Sequence, residues 1–107
     1  MARSKPNRTG EPEISIAALE VARDRPGGWV STRQLKKLIP QYIKLTPEDL
    51  EDSLTRDGEQ MWHQIVGNII SHRASEGNII ADGYAIYRDN GIEITDAGRD
   101  RLKRLRR

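Results

Sequence analysis

The sequence predicts a small, mostly helical α+β domain, and three observations predict it. A chain of 107 residues that is 36% hydrophobic has room for one small domain, which excludes a large catalytic barrel. Apolar residues recur at helical spacing through most of the chain up to about residue 73. Beyond Gly77 the period shifts toward two and glycine-containing turns appear, as in β-hairpins.

The first helix is predicted over about residues 12–25. Pro12 suits a first helical turn, and the run Pro26-Gly27-Gly28 stops the helix. Between them, four apolar residues recur at helical spacing: Ile14, Ala17, Ala18 and Val21. The pair Trp29-Val30 that follows is β-prone and predicts a short strand.

The second helix begins with a capping signal. Ser31 is followed three residues later by Gln34, which is the spacing of a capping box. The predicted core-facing stripe of this helix has four members: Leu35, Leu38, Ile39 and Tyr42. Pro40 interrupts the stripe, so the helix either ends near Ile39 or kinks there.

Two more helices are predicted before Gly77. The run Thr46-Pro47-Glu48-Asp49 combines an N-cap, a proline and two acids, and predicts a short helix over about residues 47–54. The run Asp57-Gly58-Glu59-Gln60 opens a longer helix that continues to about residue 73. The apolar stripe of this longer helix has five members: Trp62, Ile65, Val66, Ile69 and Ile70.

The last third of the chain predicts strands, a hairpin and a final helix. Strand-like stretches occur at residues 78–81, 84–88 and 92–95. Asp82-Gly83 and Asp89-Asn90-Gly91 are both hairpin-turn signals, and the sequence does not decide which of them forms the main hairpin. Thr95 is expected to cap a final helix with Leu102 and Leu105 facing inward.

Charge divides the chain into three parts. The formal net charge of +2 combines +3 in residues 1–10, −6 in residues 11–98 and +5 in residues 99–107. We therefore expect a flexible basic arm, one domain, and a basic C-terminal helix end or tail. Much of the acid forms a patch over residues 48–59, in which Arg56 is the one base: Glu48, Asp49, Glu51, Asp52, Asp57 and Glu59. DNA is not expected to meet this acidic patch, because like charges repel.

Several classes of protein are excluded or disfavoured by residues that the sequence lacks. Without cysteine there is no disulfide, thiol nucleophile or thiolate metal site, which fits a reducing, cytoplasmic compartment. His63 and His72 lie nine residues apart without an acid or cysteine at ligand spacing, so neither is expected to bind metal. The sequence has no Asp/Glu-x-Lys, phosphate loop or catalytic triad, and no apolar run approaches the roughly 20 residues of a membrane span. We expect a non-enzyme without a cofactor or a membrane partner.

The predicted order of elements is that of a winged helix-turn-helix domain with an extra short acidic helix before its recognition helix. The run Trp-His-Gln-Ile-Val-Gly-Asn-Ile-Ile-Ser-His-Arg at residues 62–73 resembles the Mrr N-terminal winged-helix family, as do Gly-Asn-Ile-Ile at 77–80 and Ile-Thr-Asp-Ala-Gly-Arg at 94–99. The resemblance covers about residues 12–105. It implies recognition of methylated or specific DNA for a nuclease in prokaryotic restriction-modification or defence. This chain ends without a catalytic domain, which puts cleavage in doubt but not binding.

The resemblance implies that the helix over residues 58–73 is the recognition helix. Its candidate DNA-contacting residues are Gln60, His63, Gln64, Gly67, Asn68 and Ser71. Amide side chains can bond adenine at two points, a serine can donate or accept, and Gly67 lets the helix approach the groove closely. The alternative is that this face is an ordinary solvated helix surface.

Seven further residues are candidates for DNA contacts, either to phosphate or from the hairpin wing: His72, Arg73, Arg88, Asn90, Arg99, Lys103 and Arg106. The pair His72-Arg73 either complements the helix dipole or touches phosphate. Arg88 either enters the minor groove or is a solvated hairpin charge. The basic residues from Arg99 onward either bind phosphate or stay solvated at the chain end.

Three functional hypotheses follow. The first is a winged helix that binds double-stranded DNA, either as a small transcriptional regulator or as the specificity module of a restriction or defence system. The second is a protein-interaction winged helix whose acidic patch over residues 48–59 docks a basic partner. The third is a detached piece of a nuclease, which acts with a catalytic subunit in trans. The target sequence and the oligomeric state are left open, since a monomer and a dimer would have the same pattern.

Overall fold

Four helices and one three-stranded antiparallel sheet form the part of the chain that the computed structural model describes, residues 10–52 and 58–105. The helices are α1 (Glu11–Arg23), α2 (Thr32–Leu38), α3 (Met61–Ser71) and α4 (Asp96–Leu105). The strands are β1 (Trp29–Ser31), β2 (Ala85–Arg88) and β3 (Gly91–Ile94). Short 3-10 turns at Pro26–Gly28 and Ile39–Gln41 precede β1 and follow α2. The predicted α+β, mostly helical class is confirmed.

The sheet has the strand order β1-β3-β2, so the first strand pairs with the last. Val30 and Tyr87 both lie opposite Ile92 in the middle of the sheet. The hairpin between β2 and β3 turns at Asp89 and Asn90, whose φ angles are 52° and 58°. Two consecutive left-handed residues give the turn type that joins tightly twisted strands, and Asx residues tolerate this conformation best after glycine. The hairpin left open by the sequence is therefore the one at Asp89-Asn90-Gly91.

The core lies where α1 packs against α2, α3, α4 and the sheet. α1 buries most of its circumference, because the other elements cover it on several sides. The large side chains that are fully buried come from nearly every element: Ile14, Leu19, Val21, Val30, Leu35, Ile39, Trp62, Val66 and Ile92. Most of these are the apolar positions that helical or strand spacing predicted.

The first two predicted helices are confirmed. α1 spans Glu11–Arg23, two residues shorter at its C-terminal end than predicted. The Ser31 hydroxyl accepts a hydrogen bond from the backbone N–H of Gln34 at 3.1 Å, so Ser31 caps α2 as expected. The α-helix ends at Leu38, and Pro40 lies in the 3-10 turn that follows it. This is the effect that proline is expected to have on a helix.

The predicted short helix over residues 47–54 is wrong for its described part. Residues 47–50 form a hydrogen-bonded turn, closed by bonds between Thr46 and Asp49 in both directions. The carbonyl oxygens of Asp49 and Glu51 accept the backbone N–H groups of Trp62 and Met61, at 3.1 and 2.7 Å. A helix would need those carbonyls for itself, so pairing with the start of α3 replaces helix extension. Residues 53–57 lie outside the described residues.

The long helix is shorter than the predicted span of residues 58–73. α3 begins at Met61 because Gln60 is extended and bridges to Asp52 in an antiparallel pair. It ends at Ser71, where the carbonyl oxygen of Ile69 accepts a bond from a side chain further along the chain instead of from helical backbone. The apolar stripe of α3 is confirmed, with Trp62, Val66 and Ile69 buried and Ile65 and Ile70 partly buried.

The predicted strand over residues 78–81 is wrong, since this segment coils through successive turns. Asn78 is the cause. Its side chain is buried, donates to the carbonyl oxygen of Ile69 at 2.9 Å and accepts from the backbone N–H of Ile80 at 2.8 Å. The side chain thereby satisfies the Ile80 N–H, which a strand would pair with a neighbouring strand, and it ties this segment to the end of α3 in a turn.

The inward position predicted for Leu105 is also wrong, because this side chain is 46% exposed. Thr95 does cap α4 through the backbone N–H of Gly98, and Leu102 is buried. At Gly98 a side chain would overlap the carbonyl oxygen of Tyr84. The body of the domain therefore contacts α4 through its earlier turns, and the last turn lies at the surface.

Candidate functional site

The outer face of α3 carries neutral polar groups. Asn68 and Ser71 are exposed, whereas Gln64 and Gly67 are partly buried. Gln64 has an interaction of its own within the structure. Between Met61 and Ser71 the helix has no lysine, arginine, aspartate or glutamate. Of the six candidate base readers, Asn68 and Ser71 therefore present the most accessible side chains.

Gln60 and His63 make internal contacts at the start of α3. The backbone N–H of Gln60 donates to Nδ1 of His63 at 3.1 Å, and the Gln60 side-chain oxygen accepts from Nε1 of Trp62 at 2.9 Å. Burial lowers the pKa of His63, and the nearby Lys36 charge lowers it further, whereas Glu59 and a backbone hydrogen bond with Lys36 oppose this shift. Because its imidazole accepts the backbone N–H of the N-cap residue Gln60, His63 caps the start of α3. Both side chains thus have a structural role, whether or not they also meet a ligand.

The two residues after α3 lie at the surface in different settings. Nη1 of Arg73 donates to the carbonyl oxygen of Ile70 at 2.9 Å, and the guanidinium lies 4.6 Å from the centre of the Tyr87 ring. These contacts hold Arg73 against the C-terminal end of α3, as the dipole interpretation predicted. His72 is exposed and forms part of the wall of a cavity behind α3.

Arg88, on the β2–β3 hairpin, forms ion pairs with two neighbouring acids that neutralise its charge. Nε of Arg88 lies 2.6 Å from a Glu93 carboxylate oxygen, and Nη1 lies 2.8 Å from Asp89. Glu93 raises the pKa of Arg88, and Asp89 adds to this effect. The three charges sum locally to a negative value, so the hairpin attracts phosphate less than a solvated arginine would.

The hairpin tip is fixed to the start of α2 rather than projecting freely. The Asn90 carbonyl oxygen accepts from both the backbone N–H and the hydroxyl of Thr32, at 2.9 and 3.1 Å. The Asn90 side chain accepts a longer bond from the Tyr87 hydroxyl, at 3.3 Å. The hairpin tip and the N-terminal end of α2 therefore form one continuous surface.

Arg99 and Lys103 lie together on α4, next to Arg23 of α1, around a depression of about 280 Å³. Their position on one side of the helix is the one that their spacing predicted. α4 packs against α1 and β3. Arg106, the third member of the predicted group, lies outside the described residues.

Helix α2 carries two exposed cations that are not among the candidate residues predicted from the sequence. Arg33 and Lys37 are both exposed, and among residues 10–52 and 58–105 neither has an ion-pair partner. Their i, i+4 spacing places them on one helix face, which we call the α2 ridge. The i, i+4 spacing is a signal that the sequence contains, but the largest excess of positive charge lies at the chain ends. α2 itself packs against α3, the candidate reading helix.

The acidic patch is less concentrated in the structure than in the sequence. Asp49 is buried and holds the turn at Thr46 through its side chain. Glu59 pairs with Lys36 at 2.8 Å, which ties the segment before α3 to α2. The exposed acids of this patch in the described residues are Glu51 and Asp52. They lie next to Leu50, whose side chain is 44% exposed.

Comparison with protein-family models, curated proteins and solved structures finds no match to this chain. The resemblance to the Mrr N-terminal winged-helix family thus rests on the sequence motifs, and it stays a prediction. Within residues 10–52 and 58–105, histidine, aspartate and glutamate form no cluster of three or more that could hold a metal ion. Of the helices in these ranges, none has the length and apolar character that crossing a bilayer requires.

Proposed function

We propose that this chain is a DNA-binding winged-helix module that binds duplex DNA through α3, the α2 ridge and the β2–β3 hairpin. The order of elements supports the assignment to this fold: helix, strand, two helices, then a hairpin whose second strand pairs with β1. In such a domain α2 and α3 form the helix-turn-helix, and the hairpin is the wing. The sequence motifs at residues 62–73, 77–80 and 94–99 support the same fold.

One observation carries the functional proposal, namely the combination of an uncharged polar face on α3 with a ridge on α2 whose two cations have no ion-pair partner among the described residues. Amide and hydroxyl groups such as those of Asn68 and Ser71 can read base edges without repelling phosphate. Arg33 and Lys37 lie on one face of α2 and can hold phosphates of the DNA backbone, which positions the reading helix. The first helix of a helix-turn-helix crosses the DNA backbone, so the proposal assigns the backbone contacts to the α2 ridge.

The proposal extends to the biological setting that the sequence resemblance implies. We assign the module a non-enzymatic role in the prokaryotic cytoplasm, as a small regulator or as a restriction or defence specificity domain. A nuclease or other subunit acting in trans would supply any cleavage. This setting rests on the sequence motifs of the Mrr-like family.

The test is a fluorescence anisotropy titration of the full chain with a labelled duplex at two ionic strengths, with methylated and unmethylated duplexes side by side. We expect binding that weakens as the salt concentration rises, because bound cations release counterions from the DNA. Absence of binding at both ionic strengths would refute the proposal.

Variants separate positioning from base reading. Arg33→Gln and Lys37→Gln should weaken binding to all sequences alike, and each should reduce the magnitude of the salt slope by about 1. Asn68→Ala should instead reduce the preference among sequences, by a factor of about 5 to 100 at the base that it contacts. Lys44→Gln, which removes an exposed lysine from the loop after α2, is the matched control for loss of one charge. Equal, sequence-blind losses from Lys37→Gln and Asn68→Ala would refute base reading.

A second candidate function is favoured by the exposed apolar side chain within the acidic patch. Leu50 is exposed and is followed directly by the exposed acids Glu51 and Asp52, so this segment could dock a basic protein partner, with the apolar contact adding to charge attraction. Reversal of Glu51 and Asp52 to lysine would then abolish capture of that partner. This result, together with no DNA affinity, would favour the interaction function over the DNA-binding function.

A further inference from the structure

A cavity of about 490 Å³ opens between the first turns of α1, the loop that follows α3, and α4. This volume falls within the range of about 300–1,000 Å³ that small-molecule sites occupy. The cavity is separate from the exposed face of α3 and from the α2 ridge, since neither Asn68 nor any residue of α2 lines it. Its walls carry apolar, cationic and acidic groups from different elements.

Arg101 on α4 supplies the cationic wall. Its guanidinium lies 5.1 Å from the centre of the Tyr84 ring, and both residues line the cavity. Among the described residues its guanidinium has no hydrogen-bond or carboxylate partner. A guanidinium stacked on a ring keeps the N–H groups at its edge available for a planar carboxylate, which it binds through two parallel hydrogen bonds. The ring also restricts the rotamers of Arg101, so less entropy is lost on binding.

The acidic groups of the cavity come from the loop after α3 and from Glu11 at the start of α1. Glu76 and Asp82 both line the cavity, and Asp82 is held by the backbone N–H of Gly77 at 3.3 Å. The apolar side chains of Ile16 and Ile79 line the same cavity. A ligand that satisfies all three kinds of group carries a carboxylate, an ammonium and an apolar body.

We propose that this cavity binds a small zwitterion of amino-acid or dipeptide size. Its carboxylate pairs with Arg101, its ammonium is attracted by Glu76 and Asp82, and its apolar part packs on Ile16 and Ile79. Neither a purely anionic nor a purely cationic molecule satisfies both charged walls.

The site is joined to α3 by the loop that forms its acidic wall. Residues 75–79 of this loop line the cavity. The Asn78 side chain also bonds to the carbonyl oxygen of Ile69 and so holds the last turn of α3. A bound zwitterion adds contacts to this loop, which holds the last turn of α3, and thereby changes the free energy of DNA binding by α3. This coupling rests on the proposed DNA-binding function, whereas the binding site itself does not.

The first experiment is isothermal titration of the full chain, without DNA, with L-leucine, L-phenylalanine and the dipeptide alanyl-leucine. Two analogues of leucine each lack one charged group: 4-methylpentanoate lacks the ammonium, and 3-methylbutylamine lacks the carboxylate. We expect at least one zwitterion to bind, and we expect both leucine analogues to bind at least about tenfold more weakly than leucine. No heat with any of the three zwitterions, or equal affinity for 4-methylpentanoate, would overturn the proposal.

Variants of the cavity wall complete the test. Arg101→Gln should weaken zwitterion binding about tenfold or more, and Arg101→Lys should recover part of the affinity because the charge remains but the fork is lost. Lys44→Gln, an exposed site that does not line the cavity, should bind as the parent chain does. Circular dichroism establishes that each variant is folded. Parent-like affinity in a folded Arg101→Gln chain would overturn the assignment.

The coupling is measured by repeating the DNA titration with and without saturating zwitterion. A change in DNA affinity supports the coupling, and an unchanged affinity refutes it while leaving the cavity site in place. Zwitterion binding by a chain that shows no DNA affinity would refute the DNA-binding function and not the cavity site.

Discussion

Asn78 is the residue at which a single substitution tests most of the structural reasoning. Its side chain is 5% exposed and makes two hydrogen bonds, to the Ile69 carbonyl oxygen and from the Ile80 N–H. Asn78→Ala removes both bonds, each with a net contribution of about 0.5–1.5 kcal/mol. It also leaves two backbone groups without partners at a buried position, at a cost of about 1–3 kcal/mol each where water cannot reach. Because these effects overlap, we expect a loss of about 2–4 kcal/mol in the free energy of unfolding.

The assay is urea denaturation followed by tryptophan fluorescence, to which Trp29 and Trp62 contribute. In a thermal unfolding experiment on the same variant, a loss of 2 kcal/mol is expected to lower the Tm by about 8–16 °C in a domain of this size. The matched control is Asn68→Ala, which removes the same side chain from an exposed position on α3. It should change the free energy of unfolding by no more than about 0.5 kcal/mol.

A second variant identifies which bond matters. Asn78→Asp keeps an acceptor for the Ile80 N–H but places a carboxylate oxygen against the Ile69 carbonyl oxygen, so it should also destabilise the protein at neutral pH. A loss below about 1 kcal/mol for Asn78→Ala, with an unchanged denaturant m-value, would refute the anchoring role of Asn78. Parent-like stability of Asn78→Asp would refute the contribution of the bond to Ile69.

Two further predictions concern α4 and the start of α3. Gly98→Ala should destabilise by about 1–3 kcal/mol in thermal unfolding, because the added Cβ overlaps the Tyr84 carbonyl oxygen, whereas Ala97→Ser at the exposed neighbouring position should have an effect below about 0.5 kcal/mol. For His63, the folded-state pKa lies below that of the unfolded chain, so the unfolded chain binds the proton more readily. The Tm should therefore fall as the pH decreases through about 6.5, and His63→Gln should flatten this decrease; an identical pH dependence in both chains would contradict the neutral cap at Gln60.

The elements that the sequence predicted correctly are those whose determinants are local. Ser31 caps α2 through a residue three positions away, and Pro40 ends the same helix within one turn. The Asp89-Asn90 turn has the φ angles that its residue types favour. In each case the interacting atoms are within four residues of each other in sequence, so spacing alone contains the information.

The elements that the sequence predicted wrongly depend on partners distant in the chain. The signals at Thr46 were real, since Thr46 and Asp49 bond to each other, but the Asp49 carbonyl oxygen pairs with Trp62 rather than continuing a helix. In the same way, the sequence pattern predicts a strand at Asn78, but the Asn78 side chain bonds to the end of α3. Tertiary hydrogen bonds decided both segments, and no local pattern reveals them.

The candidate site was predictable in residue type and less so in availability. Asn68 and Ser71 were expected on the outer face of α3, and they are exposed there. The ion pairs of Arg88 depend in part on the pairing of β2 with β3, since Glu93 lies on the opposite strand. The sequence does not specify that register until the turn is known, so it could not show that the hairpin cation is neutralised.

The placement of charge makes the salt dependence of DNA binding a test of which surface binds. Each neutralised phosphate contributes a slope of about −0.9 in the dependence of log K on log salt, so the α2 ridge alone predicts a slope of about −1.8. Residues 1–10 and 99–107 carry +3 and +5, and their participation would make the slope considerably steeper. If Arg33→Gln and Lys37→Gln together abolish a slope near −1.8, the α2 ridge is the phosphate contact. A slope beyond about −4 that survives both substitutions would assign the phosphate contact to the basic ends of the chain. The α2 ridge would then no longer support α3 as the helix that faces DNA.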